Sequence, residues 1–242
     1  MPLIDNLVTR FPNGQNNVPV GSIFNSMKQE DPTLNHQFFE TFDYYAAANW
    51  TVTTVGAGTA ALVSGNGGIL ALANSAASAD LTQIQKVGPS FLMVPGNTSG
   101  AGKKFFMRAR FSVDDATNAA LAVGLQVTNT YGTLSSVTDG VYFIKPAAST
   151  SLSFNARLNT TTGAQTGVVG TMANNTFVTV DAFYDGLTSF YYGLNGTIIG
   201  SLTVSATTGI PDAVIQPVAV VKNGTAAART LNLDYLFALQ DY

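Results

Sequence analysis

Residues 176–204 read TFVTVDAFYDGLTSFYYGLNGTIIGSLTV, and the turn residues inside this stretch decide the fold. Asp185-Gly186 and Asn195-Gly196 supply the positive φ that tight hairpins demand, since Gly has no Cβ and Asn or Asp tolerates the left-handed region. The runs on either side are dense in Val, Phe, Tyr and Ile, side chains that pack well on a pleated surface. Three consecutive antiparallel strands follow.

The same texture spreads outward from there. In Lys104–Ser112, Phe105, Met107, Ala109 and Phe111 fall on one face and Lys104, Phe106, Arg108 and Arg110 on the other, the period of two that marks a strand. Leu231, Leu233, Tyr235, Phe237 and Leu239 alternate in the same way. Five large apolar side chains on one face predict a central strand with a second sheet packed against it. Asp139-Gly140 and Asn223-Gly224 mark further turns. About a dozen strands result, which suits two packed sheets better than one small barrel. The stretch 57–79, rich in Gly, Ala and Ser, reads either as weak strands or as a loop covering the sandwich. No long helical period occurs.

Residues 1–37 have a different character. Pro2, Pro12, Pro19 and Pro32 punctuate them, and apolar residues come only in short clusters. Such a segment has too little apolar surface for a core of its own. It is expected to be an extended N-terminal arm ahead of a β-sandwich domain over 38–242. Leu3, Ile4, Leu7, Val8, Phe11, Ile23 and Phe24 are its expected assembly interface, extending across a neighbouring subunit.

Composition narrows the classes of function. Charged residues make up 10% of the chain, against roughly 25% in an ordinary soluble domain, so few ionic groups keep its surface apart from other proteins. The net charge is −3, and beyond the first fifty residues acids and bases balance at nine against nine. No basic field suited to nucleic acid exists. With no cysteine, a disulfide framework, a zinc finger and a cysteine nucleophile are excluded. The N-terminus MPLIDNLVTRFPNG carries Asp5 and lacks the apolar core of a signal peptide. No run approaches the roughly 20 apolar residues of a membrane helix, so a soluble protein made in a cytoplasm, with no membrane partner, is expected.

The succession FFMRARFSV, GLQV, DGVYF, TFVTVDAFYDG, SFYYGLNGTIIG and LNLDYLFALQ resembles the concanavalin A-like jelly roll, over roughly residues 40–242. With the arm, the low charge and the Ala, Thr, Gly and Asn richness, the whole resembles tailed-bacteriophage virion proteins, above all head decoration (cement) proteins. The resemblance implies an all-β, two-sheet antiparallel jelly-roll sandwich with an extended N-terminal arm. It implies a structural protein of the capsid surface, not an enzyme, without a cofactor, whose partners are the major capsid protein and copies of itself. A homotrimer is the expected unit, because a swapped arm closes around a rotation axis. The alternative is a carbohydrate-binding host-attachment module of a phage fibre or spike.

The chemistry-bearing residues fit that picture. Glycosidases of the concanavalin A-like superfamily need two carboxyls flanking the scissile bond, yet the only glutamates are Glu30 and Glu40. Asp181 with Asp185 would have to replace them, beside a turn where Asp is expected anyway. His36 is the only histidine and no G-x-S-x-G elbow accompanies it, so it reads as a polar linker residue and no catalytic residue is assigned. One His and no Cys disfavour a transition metal. Calcium would draw on Asp114, Asp115 and Asp139, which lie in no regularly spaced acidic loop, and no metal site is assigned. Lys103, Lys104, Arg108 and Arg110 are the only basic concentration. They read as a solvated or salt-bridged face, or, through Lys104, Arg108 and Arg110, as a face docking on an acidic capsid surface. Trp50, Tyr44, Tyr191 and Tyr192 read as core or as a sugar-stacking platform. N-x-T triplets such as Asn49-Trp50-Thr51 and Asn195-Gly196-Thr197 are expected by chance in an Asn- and Thr-rich chain.

Overall fold

A computed structural model describes residues 35–65, 67–88, 90–93, 102–128, 134, 137–158, 165–205 and 209–242. The expected arm contacts Leu3, Ile4, Leu7, Val8, Phe11, Ile23 and Phe24 lie outside the described residues. The strands are β1 (Asn35–Glu40), β2 (Trp50–Val55), β3 (Gly58–Val63), β4 (Ile69–Asn74), β5 (Leu81–Lys86), β6 (Phe105–Val113), β7 (Ala119–Val127) and β8 (Gly140–Lys145). They continue as β9 (Ser151–Arg157), β10 (Gln165–Thr171), β11 (Val178–Tyr184), β12 (Ser189–Leu194), β13 (Thr197–Thr203), β14 (Ile215–Asn223) and β15 (Thr230–Asp241). One sheet of eight strands runs β13-β12-β11-β6-β15-β4-β3 with β1 added on β15, and a sheet of seven runs β10-β9-β8-β7-β14-β5-β2. All pairings between these strands are antiparallel. The fold is a two-sheet jelly-roll sandwich.

The hairpins quoted above form as their turn residues dictate. Asn195 (φ 51) and Gly196 (φ 81) close β12 onto β13, the two positive φ values of the favoured two-residue turn. At the β11–β12 turn Gly186 has φ 80, and Asp185 Oδ1 accepts from the amides of Leu187, Thr188 and Ser189 at 2.8, 2.9 and 3.0 Å. The stretch 57–79 resolves into β3 and β4. β1 begins at Asn35, so residues 35–37, expected in the arm, pair with Leu239, Gln240 and Asp241 of β15. His36 therefore sits in a strand, its ring 4.7 Å from that of Phe91.

The two sheets bury one continuous core between them, from Phe105, Met107 and Phe111 on one side to Leu121, Phe143 and Phe154 on the other. Asn74 at the end of β4 and Asn223 at the end of β14 tie the sheets at one corner. Asn74 Nδ2 donates to Asn223 Oδ1 at 3.0 Å, and Asn223 Nδ2 donates to the carbonyls of Ser75 and Ala77 at 2.6 and 2.8 Å.

β15 is the central strand of the larger sheet, as expected, but its apolar side chains do not share a face. A bulge between Leu233 and Tyr235 shifts the register against β6. Because side chains alternate, one extra residue reverses every side chain beyond it. Leu231 and Leu233 enter the sandwich core, and after the bulge Leu236 and Ala238 take their place there. Phe237 and Leu239 join Phe106 and Phe183 on the outer face of the sheet.

Gly124 in mid-β7 lies under Tyr142 of the next strand: a Cβ there would stand 2.5 Å from both Tyr142 Cα and the Val141 carbonyl oxygen. Both are backbone-anchored atoms that no rotamer change can move. Gly124→Ala is expected to cost about 2 kcal/mol by overpacking, a fall of about 4–8 °C in Tm for a domain of this size. Thermal unfolding followed by circular dichroism measures it; an unchanged Tm would show that β7 and β8 separate freely at this point.

Candidate functional site

The expected basic face is divided between buried and exposed cations. Arg108 on β6 is opposite Asp181 on β11 in the strand register, and the two form an ion pair with side chains 2% and 0% exposed. Arg110 pairs with Asp234 at the bulge of β15 and packs its guanidinium 4.3 Å from the centre of the Phe177 ring. Burial pushes the Asp181 carboxyl above its ordinary range, while the adjacent Arg108 pulls it back. Lys103 and Lys104 remain exposed. Of the expected docking face through Lys104, Arg108 and Arg110, Arg108 is corrected, since it is buried against an acid within its own sheet, whereas Lys104 is exposed and the Arg110 side chain is 39% exposed.

Asp181 and Asp185, the carboxyls weighed as a hydrolytic pair, are engaged separately. Asp181 is committed to Arg108 on the outer face, and Asp185 Oδ1 to three turn amides. Glu40 lies 3.9 Å from Lys86, with burial raising its carboxyl from the ordinary value.

Asp115 holds a turn together. Its carboxylate accepts from the amides of Thr117 and Asn118 at 3.0 and 2.9 Å and from Asn118 Nδ2 at 2.9 Å. These bonds, the Asn118 side chain first, hold the carboxyl below its usual value. Arg229 Nη2 stands 3.0 Å away, and Lys145 adds a second positive charge to the neighbourhood. Two cations beside the carboxylate oppose a divalent ion there, and among the described residues no three His, Asp or Glu side chains gather as ligands. Lys145 is buried, its Nζ donating to the carbonyls of Pro146 and Ser149 at 2.9 Å each.

The four aromatic residues weighed as a sugar platform are scattered. Trp50 is 5% exposed, tilted against Phe42 with ring centres 5.9 Å apart and with Lys86 Nζ 4.9 Å from its own. Tyr192 stacks on Phe154 in the core and Tyr191 on Phe183 at the outer face. Tyr44 alone is open, at 75% exposure. The platform reading of Trp50 and Tyr192 is overturned by their burial.

What the sequence did not reveal are the surfaces. On the outer face of the seven-stranded sheet, Leu134 and Val137 from the β7–β8 connection close over Ala122, Tyr142 and Val220. Beside them a cavity of about 290 Å³ is lined by Ala120, Ile144, Pro146, Ala147 and Lys222 among others. At the flank where the sheets end, β2 and β3 expose Val52, Val55, Leu62 and Val63 at 42, 46, 43 and 43%. Residues 50–79, which contain both strands, have no charged residue. Val52 and Leu62 sit opposite the core residues Ile84 and Leu70 and face the gap between the sheets, whereas Val55 and Val63 point outward.

A scan against protein-family models finds no match for this sequence, and a search of curated proteins finds none either. Solved structures do match. Peanut lectin in complex with a nine-residue peptide superposes with a TM-score of 0.59 at 12% identity, over 85% of this chain and 97% of the lectin. A Bacteroides ovatus mixed-linkage glucan GH16 protein gives 0.58 at 10% identity, over 82% and 98%. The CBM2 module of the evolved Dit of Lactobacillus casei BL23 phage J-1 gives 0.54 at 10% identity, over 86% and 97%. At these identities the likeness is one of fold: the chain has the lectin-like, concanavalin A-like jelly roll.

Two measurements probe the buried charges. Arg108→Met leaves Asp181 as an uncompensated buried charge and is expected to cost about 3–5 kcal/mol, whereas the double change with Asp181→Leu recovers most of it. Urea unfolding of both variants decides, and equal losses in the two would mean that the pair is not coupled. Burial pushes Lys145 down to about 8 from 10.5. Between those values the unfolded chain binds more protons than the folded one, so stability rises with pH, and the full penalty stands below about 8. From pH 7.5 to 9.5 the gain is about 2 kcal/mol. Urea midpoints at the two pH values should show it in the natural chain and not in Lys145→Met.

Proposed function

We propose that the chain is a structural subunit of a virus particle, a head decoration protein of a tailed phage that holds to the shell and to its own copies by burying area. The observation that carries this reading is the flank formed by β2 and β3. An edge strand presents unpaired amides and carbonyls, and proteins that stay free in solution blunt such edges with charge or proline. Here the two edge strands are without either across residues 50–79 and expose four aliphatic side chains. A surface of this kind suits permanent contact, and repetition over a symmetric shell multiplies a modest contact into a firm one. The CBM2 module of a phage Dit shares the fold, which supports a place for such a domain in phage particles. A symmetric trimer is the arrangement we favour for the unit that meets the shell.

A second reading has its own support. The likeness to peanut lectin and to the phage Dit module favours a carbohydrate-binding attachment module of a fibre or spike. An enzyme is favoured by the GH16 likeness alone, against a chain with two glutamates in all.

Cosedimentation with phage heads that lack the protein separates the readings. Val55→Lys with Val63→Lys alters two outward-facing, half-exposed positions and should shift folding stability by no more than about 0.5 kcal/mol each. Head binding should fall at least about tenfold, since two charges are then desolvated in the contact. Unchanged head binding by this variant removes the flank from the mechanism. No head binding by either form, together with glycan-array binding by both, favours the attachment module.

A further inference from the structure

A sandwich of two open sheets has two flanks, each made of one edge strand from either sheet. In this fold they are β10 with β13 and β2 with β3. The first flank is closed and irregular. Tyr192 fills the space between its strands, since a Cβ added at Gly167 of β10 or at Gly200 of β13 would stand 2.4 Å from the Tyr192 hydroxyl oxygen. Both strands also carry an extra residue against their neighbours, Val169 in β10 and Ile199 in β13, and bulges of this kind turn an edge away from further pairing. The second flank is open and regular. β2 runs along β5 and β3 along β4 without a shift of register, and Val52 and Leu62 face the gap between the sheets at 42 and 43% exposure.

We propose that this flank pairs with a second copy of the chain about a two-fold axis perpendicular to the sheets, β3 lying antiparallel to the β3 of its partner. Symmetry supplies the argument. A two-fold axis sets residues near it opposite their own counterparts, so a charge on a self-pairing edge meets a like charge, which is unfavourable. Residues 50–79 contain no Asp, Glu, Lys or Arg. Proline, which could not donate to a shared ladder, is absent from them as well. Of the two edges β3 is the better suited. Its neighbour β4 is uncharged whereas β5, beside β2, ends in Lys86, and the small side chains of Gly58, Ala60 and Ala61 let a second backbone approach. Pairing of this kind adds main-chain hydrogen bonds to the aliphatic contact. It continues the eight-stranded sheet through both copies and brings Val52 and Leu62 of the two flanks together. The inference rests on the flank of the decoration reading and names its partner there, a neighbouring copy, joined across a two-fold axis whatever the symmetry of each unit. Loss of such neighbours would weaken hold on the shell by removing multivalency.

Sedimentation velocity of the full-length chain should show a reversible dimer in the micromolar range. The natural chain has no cysteine, so a single introduced thiol reports one position. With Thr59, Ala60, Ala61 and Leu62 replaced by Cys one at a time, the position at the axis should form a disulfide dimer at least about tenfold faster than Val168→Cys on the other flank, because pairing holds the two thiols at high local concentration. Val168 is a fair control, being 64% exposed. Ala61→Lys brings two cations together near the axis and should weaken dimerisation at least about tenfold. An equal mixture with Ala61→Glu should restore it as a mixed dimer. The cysteine series decides even if a charged variant fails to fold. A chain that stays monomeric overturns the proposal, as does faster cross-linking at Val168 or a folded Lys and Glu mixture that does not recover. Head binding separates this from the decoration reading. A monomer that still requires Val55 and Val63 to bind heads overturns the two-fold pairing alone, whereas a dimer that binds no head upholds the pairing and removes the decoration reading.

Discussion

The bulge at Asp234 is the constraint on which the rest of the larger sheet depends. β15 is its central strand, paired with β6 along one edge and with β4 and β1 end to end along the other. A regular strand here would send all its odd-numbered apolar residues to one side. With the register shifted between Leu233 and Tyr235, one half of the strand feeds the core with Leu231 and Leu233 and the other half with Leu236 and Ala238. Phe237 and Leu239 are thereby turned outward, beside Phe106 and Phe183 of the strands alongside. The bulge residue itself is not idle, since Asp234 meets Arg110. One inserted residue thus makes a sheet that is apolar on both sides over part of its area.

That two-sidedness changes how the charged residues act. In a sheet whose outer face met water, Arg108 and Asp181 would form an exposed pair of little consequence. Closed off at 2% and 0% exposure, they must satisfy one another or be removed together. The same reasoning applies to Lys145, whose Nζ is held by two carbonyls where burial opposes its charge. Among the described residues Arg108, Asp181, Asp234 and Lys145 are thus charges that fix the interior of the chain.

Much of this was legible in the sequence where local chemistry decides. The turn at Asn195-Gly196 formed because two adjacent residues accept positive φ, and that at Asp185-Gly186 because Gly186 takes the positive φ while the Asp185 carboxylate holds the following amides. The alternation of Phe105, Met107, Ala109 and Phe111 placed them in the core as read. The misreadings share a cause, namely information held by a partner far away in the chain. Arg108 looks like a free cation until Asp181, 73 residues on, lies beside it, and Arg110 until Asp234, 124 residues on, does so. No local pattern announces the bulge: an acidic residue between Leu233 and Tyr235 reads as an ordinary outward position of an alternating strand. Trp50 belongs to the core because Phe38 and Phe42, which precede it, fold their rings against it.

The fold itself leaves function open, for a lectin, a GH16 protein and a phage module share it, and function resides in what is placed on a fold. What distinguishes this chain is the way its apolar surface is distributed. A jelly roll needs one buried layer, and this one has three: the core, the cover of Leu134 and Val137 on one sheet, and the aromatic cluster on the other. A protein that recognises a soluble ligand gains by keeping one sheet face open and polar to receive it. Here each sheet carries a buried apolar cluster on its outer face, and β2 and β3 expose four aliphatic side chains at one flank. An aliphatic flank without charge is the kind of surface that a protein neighbour can cover, and it is on this surface that the proposed attachment rests.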